Sequence, residues 1–416
     1  MRSLNRVVIS LLLVLLLAIV GGWIVRLIGE SRLLAAQERF EADTGSLSLA
    51  DYGLPNLADE QNAAVWLKAG AELVEIPDGG LETMAEVRDQ EIGGWSVETL
   101  TAAAGLIESN QEAFEQLERC VDLEDSSFAF SYEDGFSAVM PPMMNLFRSA
   151  RLVAMDLRLA LAVEEPERVS RDLQILGQLS LALSRESFLV SALLHLGVER
   201  LYLGAISDVM QAGVEDQDLW VHLQDELGRR EGGEPLRRSI AGEAAAVLSV
   251  TGLRGSEADS TDRWEQFVFW LLEPYQLAAL LDTYGEVVRS LDDPWIATLE
   301  SRRVEPEGLV WGPHQLMKPN LLEAVEKVKA SELSRLLAEQ ALALKLKSLE
   351  TGGLPRSFNT EIMDPYASGS VLYEWSAEEG AILSAPEAME LWMSEHAGED
   401  ERRMPIFVWH LSRPSV

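Results

Sequence analysis

His195 and Glu199 are the residues best spaced to do chemistry in this sequence. At i and i+4 they share one helical face, which suits two metal ligands or a hydrogen-bonded acid–base couple. Two ligands do not complete a metal centre. The five histidines (His195, His222, His314, His396 and His410) form no His-Glu-x-x-His motif and no Glu-x-x-His pair of the di-iron kind. The pair is therefore expected to be a structural hydrogen bond, and no cofactor is implied. A second set of acids, Glu124, Asp125, Glu133 and Asp134, lies in Val121–Pro142. Two carboxylates at the right separation can hydrolyse a glycoside, which makes Glu133 and Asp134 the candidate catalytic residues. The plainer alternative is that this stretch straps one end of a helix bundle. Cys120 has no neighbouring residue that marks a thiolate, and reads as a small core residue. No Gly-x-Ser-x-Gly elbow, Ser-x-x-Lys set, Walker loop or Gly-x-Gly-x-x-Gly fingerprint is present.

The element that places all of this is the uncharged run Val7–Val25, VVISLLLVLLLAIVGGWIV. As a helix it would reach roughly 28 Å at about 1.5 Å per residue, close to the roughly 30 Å hydrocarbon core of a bilayer. Val7, Leu11, Leu15, Ile19, Trp23 and Val25 sample its length as a membrane anchor. A cleaved signal has a shorter apolar core ending at a small-residue site. Here Arg26, Glu30 and Arg32 separate the run from Ala35-Ala36. An uncleaved single-pass anchor in a bacterial inner membrane is expected, with the bulk on the periplasmic side. Lys and Arg are nearly balanced across the run, so this orientation rests on the short amino-terminal tail.

The chain of 416 residues carries a formal charge of −34. Residues 1–28 hold three arginines and no acid, so the remainder carries −37. Such a field repels nucleic acid and anionic headgroups. The bilayer, through the first helix, and a protein partner are the expected contacts. One cysteine allows no intrachain disulfide, so packed apolar surface must supply stability.

Periodicity predicts mainly helix. Helices are expected over Asp59–Val74, Val97–Arg119 with Ser96 as its cap, Met143–Val163, Pro166–Ser184, Phe188–Met210, Glu215–Arg229 and Pro235–Val250. Short connections make neighbours antiparallel. Leu253–Asp262 reads as a polar loop. Helix resumes as Trp264–Leu272 and Tyr275–Ser290 about Pro274, where Trp264, Phe267, Phe269, Trp270 and Tyr275 could line a ligand groove or touch the membrane but read more simply as core, the negative body arguing against a place on anionic lipid. The prolines of Leu291–Pro319 suggest a domain boundary. Leu321–Leu349 is a long helix closed by Gly352-Gly353. VLYEW and AILS form a hairpin, Pro386 opens a short helix, and PIFVWHL is a last strand.

Two parts carry a resemblance. RLLAEQALALKLKSLETGGLP followed by MDPYASGSVLYEW resembles the tail of uncharacterised membrane-anchored bacterial helical proteins, a tail itself similar to the globular end of type II secretion pseudopilins. The matching positions are Gly352 or Gly353, Pro355, Asp364, Pro365, Gly369 and Tyr373. PPMMNLFRSARLVAMDLRLAL and LRRSIAGEAAAVL are similar to the body of the same proteins, so the resemblance covers about residues 55–385. It implies a fold more than a function. It also implies Asp364 as a candidate calcium ligand, against a plain turn. Unlike a pseudopilin, this chain places some three hundred residues between its apolar run and the pilin-like tail, which argues against polymerisation through the anchor.

The expected architecture is mainly α: an N-terminal transmembrane helix, an antiparallel multi-helix bundle, and a small C-terminal α+β element of one long helix and a short antiparallel sheet. The expected division is 1–30 anchor, 31–56 juxtamembrane helix and linker, 57–319 helical domain and 320–416 long helix with sheet. The expected role is protein-binding or envelope-structural, with no enzymatic assignment. The alternatives are a periplasmic hydrolase of envelope polymer and an accessory of a secretion or pilus system.

Overall fold

Apolar residues at helical spacing dominate this chain, and helices dominate the fold. A computed structural model describes residues 2–54, 57–128, 142–230, 232–251, 263–294, 297–298, 313–358, 371–376, 380–396 and 405–411. Helix α1 is unbroken from Arg2 to Thr44. The helices α2 (Ala63–Leu73), α3 (Gly80–Asp89), α4 (Val97–Ser109) and α5 (Gln111–Glu118) follow. The centre is α6 (Met143–Ala162), α7 (Pro166–Arg185) and α8 (Leu189–Gln211). Then come α9 (Gln217–Gly228), α10 (Glu234–Thr251), α11 (Arg263–Ser290) and α12 (Pro313–Thr351). The chain closes with β1 (Leu372–Ser376), β2 (Gly380–Ser384), α13 (Pro386–Glu395) and β3 (Val408–Leu411). The strands form an antiparallel sheet in the order β1-β2-β3, with Tyr373 opposite Leu383 and Ile382 opposite His410.

Helix starts follow their capping chemistry. Asn62 accepts from the Ala64 N–H, Ser96 from Thr99 and Asp216 from Leu219, each at 3.1 Å. Pro166 and Pro386 occupy first-turn positions, where a missing N–H costs nothing. Gly352, at φ 76°, terminates α12.

Two apolar clusters hold these elements. The larger joins α2–α9 to the middle of α12 and to the sheet, through residues such as Leu146, Leu176, Tyr202, Trp220, Leu337 and Trp409. The smaller joins Ala36 and Phe40 of α1 to α10, α11 and the start of α12, through Ile240, Leu281, Tyr284 and Val325. Helix α12 passes through both, contributing Leu321–Val328 to one and Ala330–Leu344 to the other. A fully buried Leu or Val is worth about 1.5–3 kcal/mol, so this one helix couples the halves tightly.

Several expectations need correction. Val97–Arg119 is two helices, because Asn110 turns its side chain onto the chain at Glu75. Helix α3 has no counterpart among the sequence expectations; Arg158 of α6 holds its carboxyl end by donating to the Arg88 and Gln90 carbonyls. Pro274 interrupts nothing, since α11 runs straight through it. Pro313 and Pro319 lie inside α12, so that helix crosses residues 319 and 320. The juxtamembrane linker packs down: Leu47 and Tyr52 sit against the smaller cluster.

One helix among the described residues is long and apolar enough to cross a membrane by length and composition, Leu189–Gln211, and half of it is buried within the bundle as a core helix. The stretch of α1 from Ile19 onward is not by itself apolar enough to make such a span. The side chains of Val7, Leu11 and Leu15 lie outside the described residues. Ile19, Trp23 and Val25 are described, and all three are exposed.

Candidate functional site

A groove lined with arginine runs along one side of α8. Its first cavity, about 270 Å³, lies between α8 and the side chains of Met84, Arg88, Arg151, Met155 and Arg158 from α3 and α6. Its second, about 530 Å³, lies between α8, α12 and α13, lined by Leu193, Leu196, Leu203, Lys327, Ser331 and Trp392. Arg200 of α8 and Ile406 border both. Helical geometry brings the cations together: Arg151 and Arg158 are seven residues apart on α6, two turns along one face.

The four arginines are not equivalent. Arg158 is committed, donating to the carboxyl end of α3 and lying 3.5 Å from Asp208. Burial pushes the Asp208 carboxyl up, and Arg158 opposes that. Arg88 donates to the adjacent Asp89 at 2.7 Å. Arg151 is half-buried and has no hydrogen-bond or ion-pair partner among the described residues. Its pKa is pulled down by burial and then by the neighbouring Arg88 guanidinium. A desolvated cation beside a like charge is in an unfavourable place until an anion joins it. Two planar guanidiniums over apolar walls can take a carboxylate in bidentate fashion.

Beneath the groove lies a closed polar network. His195 Nδ1 is 3.0 Å from the Ser180 carbonyl oxygen and 3.2 Å from its hydroxyl, and Nε2 is 3.4 Å from Glu199. Ser331, which lines the second cavity, donates to Glu199 at 3.0 Å. Ser180, His195 and Glu199 follow one another like a hydrolase triad, yet Arg230 donates to the Ser180 hydroxyl at 2.7 Å and all three residues are buried. Among the described cavities none is lined by Ser180 or His195. Burial lowers the His195 pKa, against the charge of Glu199. Tyr202 and Arg230 both bind Glu226, at 2.7 and 2.6 Å, which completes the network. The arrangement fixes α7, α8, α9 and α12 to one another rather than presenting a nucleophile.

The other sequence candidates fall as follows. Glu133, Asp134 and Asp364 lie outside the described residues. Asp125 is held 3.3 Å from Arg185. Cys120 is buried and its thiol is pushed up to about 12, so it is not a nucleophile at neutral pH. Among the described residues no group of three His, Cys, Asp or Glu could hold a metal ion. Of the pilin-like positions, Tyr373 donates to the Pro355 carbonyl at 2.6 Å, while Asp364, Pro365 and Gly369 lie outside the described residues.

Sequence reasoning missed the groove. Its signal was present as Arg151 and Arg158 on the polar side of an apolar helix in a strongly acidic chain. Arg88 and Arg200 come from distant elements, and only the packing of α3 and α8 against α6 reveals them. No protein family, curated protein or solved structure is found to match this chain.

Proposed function

We propose that this chain is a single-pass, membrane-anchored helical protein whose extracytoplasmic body binds a carboxylate-bearing segment of a protein partner in the arginine-lined groove. The observation that carries the reading is Arg151, a half-buried cation beside Arg88 with no partner among the described residues. In a chain of −34 such a cationic spot is local. Ionic strength screens the surrounding acids beyond about 8 Å, so a ligand in the groove meets mainly the arginines. The apolar neighbours Met155, Leu193, Leu203 and Trp392 favour a carboxylate flanked by apolar side chains. The uncharged run Val7–Val25 and the exposed apolar residues that continue it support the anchor.

Photo-crosslinking in intact membranes tests this. A benzoyl-phenylalanine placed at Leu193, an exposed residue of the groove wall, is expected to trap a protein adduct. Arg151→Glu should reduce the adduct about tenfold or more, the scale of one lost charged hydrogen-bond pair. Arg229→Glu, on an exposed arginine paired with Asp225, should leave it unchanged. No protein adduct, or one indifferent to Arg151→Glu, removes the proposal.

A further inference from the structure

Helix α11 runs parallel to α1 and in close register with it. The Trp23 and Trp270 rings meet edge to face at 5.9 Å, and the Arg26 guanidinium lies 4.5 Å from the Trp270 ring centroid. The Tyr275 hydroxyl donates to the Val25 carbonyl at 2.8 Å, and Arg32 lies over the same ring at 5.5 Å. Further along, Arg39 pairs with Asp282 at 2.7 Å and Arg289 pairs with Asp43. Gly29 makes the approach possible: a Cβ there would stand 2.6 Å from the Tyr275 ring.

This register has a consequence for the membrane. From Trp270 back to Arg263, α11 continues for about 10 Å at 1.5 Å per residue. That carries its backbone beside α1 to about the level of Leu17, within the apolar run. The ten residues Arg263–Leu272 read RWEQFVFWLL, four of them aromatic, against 7% for the whole chain. At the same level α1 leaves Leu16, Leu17, Val20, Ile24 and Leu27 exposed; Leu17 is 62% exposed. Trp, Tyr and Arg at one height beside an apolar helix are the composition of a membrane–water boundary.

We infer that the first turns of α11, Arg263–Leu272, enter the phospholipid interface beside α1, so that two helices, not one, meet the lipid. The inference rests on the anchor reading of α1. Trp23 and Trp270 then mark the headgroup level. Glu257, Asp259 and Asp262 precede α11 in the chain and are costly in hydrocarbon. Their cost limits how deep the first turn of α11 can sit. The α1–α11 pair fixes the tilt of the body on the membrane, which a single helix and a free linker would not.

Spin labels on the full-length chain in phosphatidylcholine nanodiscs test it. Native Cys120 can stay, since it is buried and unreactive. Labels at Ile19→Cys, Gln266→Cys, Phe267→Cys and Leu34→Cys are compared by collision with oxygen, which concentrates in lipid, and with a water-soluble nickel chelate. Position 19 and at least one of 266 and 267 should favour oxygen several-fold over position 34. If 19 is in lipid while 266 and 267 both match 34, the inference fails and the anchor stands. If 19 also matches 34, both fall.

Discussion

Lys345 places its amine inside the protein, where that group is least at home. Its side chain is 1% exposed, and Nζ makes no hydrogen bond among the described residues. The nearest compensation is the Trp220 ring, 5.8 Å from Nζ. Burial lowers its pKa, with Glu215 opposing. A base with a depressed folded pKa leaves the unfolded chain holding the extra proton, so stability is lost as pH falls below the unfolded value of about 10.4. Lys345→Met keeps the stem and removes the amine. It should raise unfolding free energy by about 1–3 kcal/mol at pH 7, and by clearly less at pH 11. Urea midpoints of the two chains at both pH values decide it; an equal or negative difference at pH 7 contradicts the argument. Lys345 was not legible beforehand: a lysine in a leucine-rich helix looks like a solvent-facing residue until α9 packs over it. Arg151 was hidden for the same reason. Its neighbours come from α3 and α8, and no local pattern joins those segments.

At the scale of elements, most of the secondary structure was legible and the breaks were not. The cores of α6, α7 and α8 fall where leucine periodicity puts them, because each turns one apolar stripe inward. The α4–α5 break was missed because apolar spacing continues across it: Leu106, Ala113, Phe114 and Leu117 are all buried. What breaks the helix is one polar side chain. Asn110 accepts from the Glu75 N–H at 2.8 Å and donates to the Glu75 and Leu106 carbonyls, both at 2.9 Å. The bonds to Glu75 cross 35 residues of sequence, beyond any local window. Asn110→Leu should favour a continuous helix and leave the Glu75 backbone unpaired, at about 2–4 kcal/mol. Gln111→Leu, next door and exposed, should cost under about 0.5 kcal/mol. Chemical denaturation of both variants reads the difference, and near-equal losses would mean the break is set elsewhere. Pro274 teaches the converse. A helix-breaking residue at about 3 kcal/mol is absorbed where α11 lies against α1, with Gly29 making room for its ring.

At the scale of the molecule, the helical class and the small hairpin sheet were legible, and the joining of two apolar clusters by α12 was not. That joining depends on contacts between residues more than a hundred positions apart, as between Arg335 and the Leu227 carbonyl. The same scale decides how the whole body responds to salt. Ion pairs such as Arg39–Asp282 and Arg229–Asp225 are more than half exposed on both partners, and pairs of that kind contribute about 0–1 kcal/mol each. Against them stands the mutual repulsion of an excess of 34 negative charges. At 0.01 M ionic strength the screening length is about 30 Å, so that repulsion acts across most of the body; at 0.15 M it is about 8 Å. Folding brings the charges closer than the unfolded chain does, so screening favours the folded state. The melting temperature of the full-length chain in phosphatidylcholine nanodiscs should therefore rise between 0.01 M and 0.15 M sodium chloride, and level off above it. Salt bears less on the half-buried pairs of Arg171 with Asp156 and Asp172, and of Arg230 with Glu226, in each of which one partner is withdrawn from solvent. A melting temperature that falls with salt would mean the exposed pairs outweigh the net charge, and the acidic surface would then stabilise the fold as a network rather than load it with repulsion.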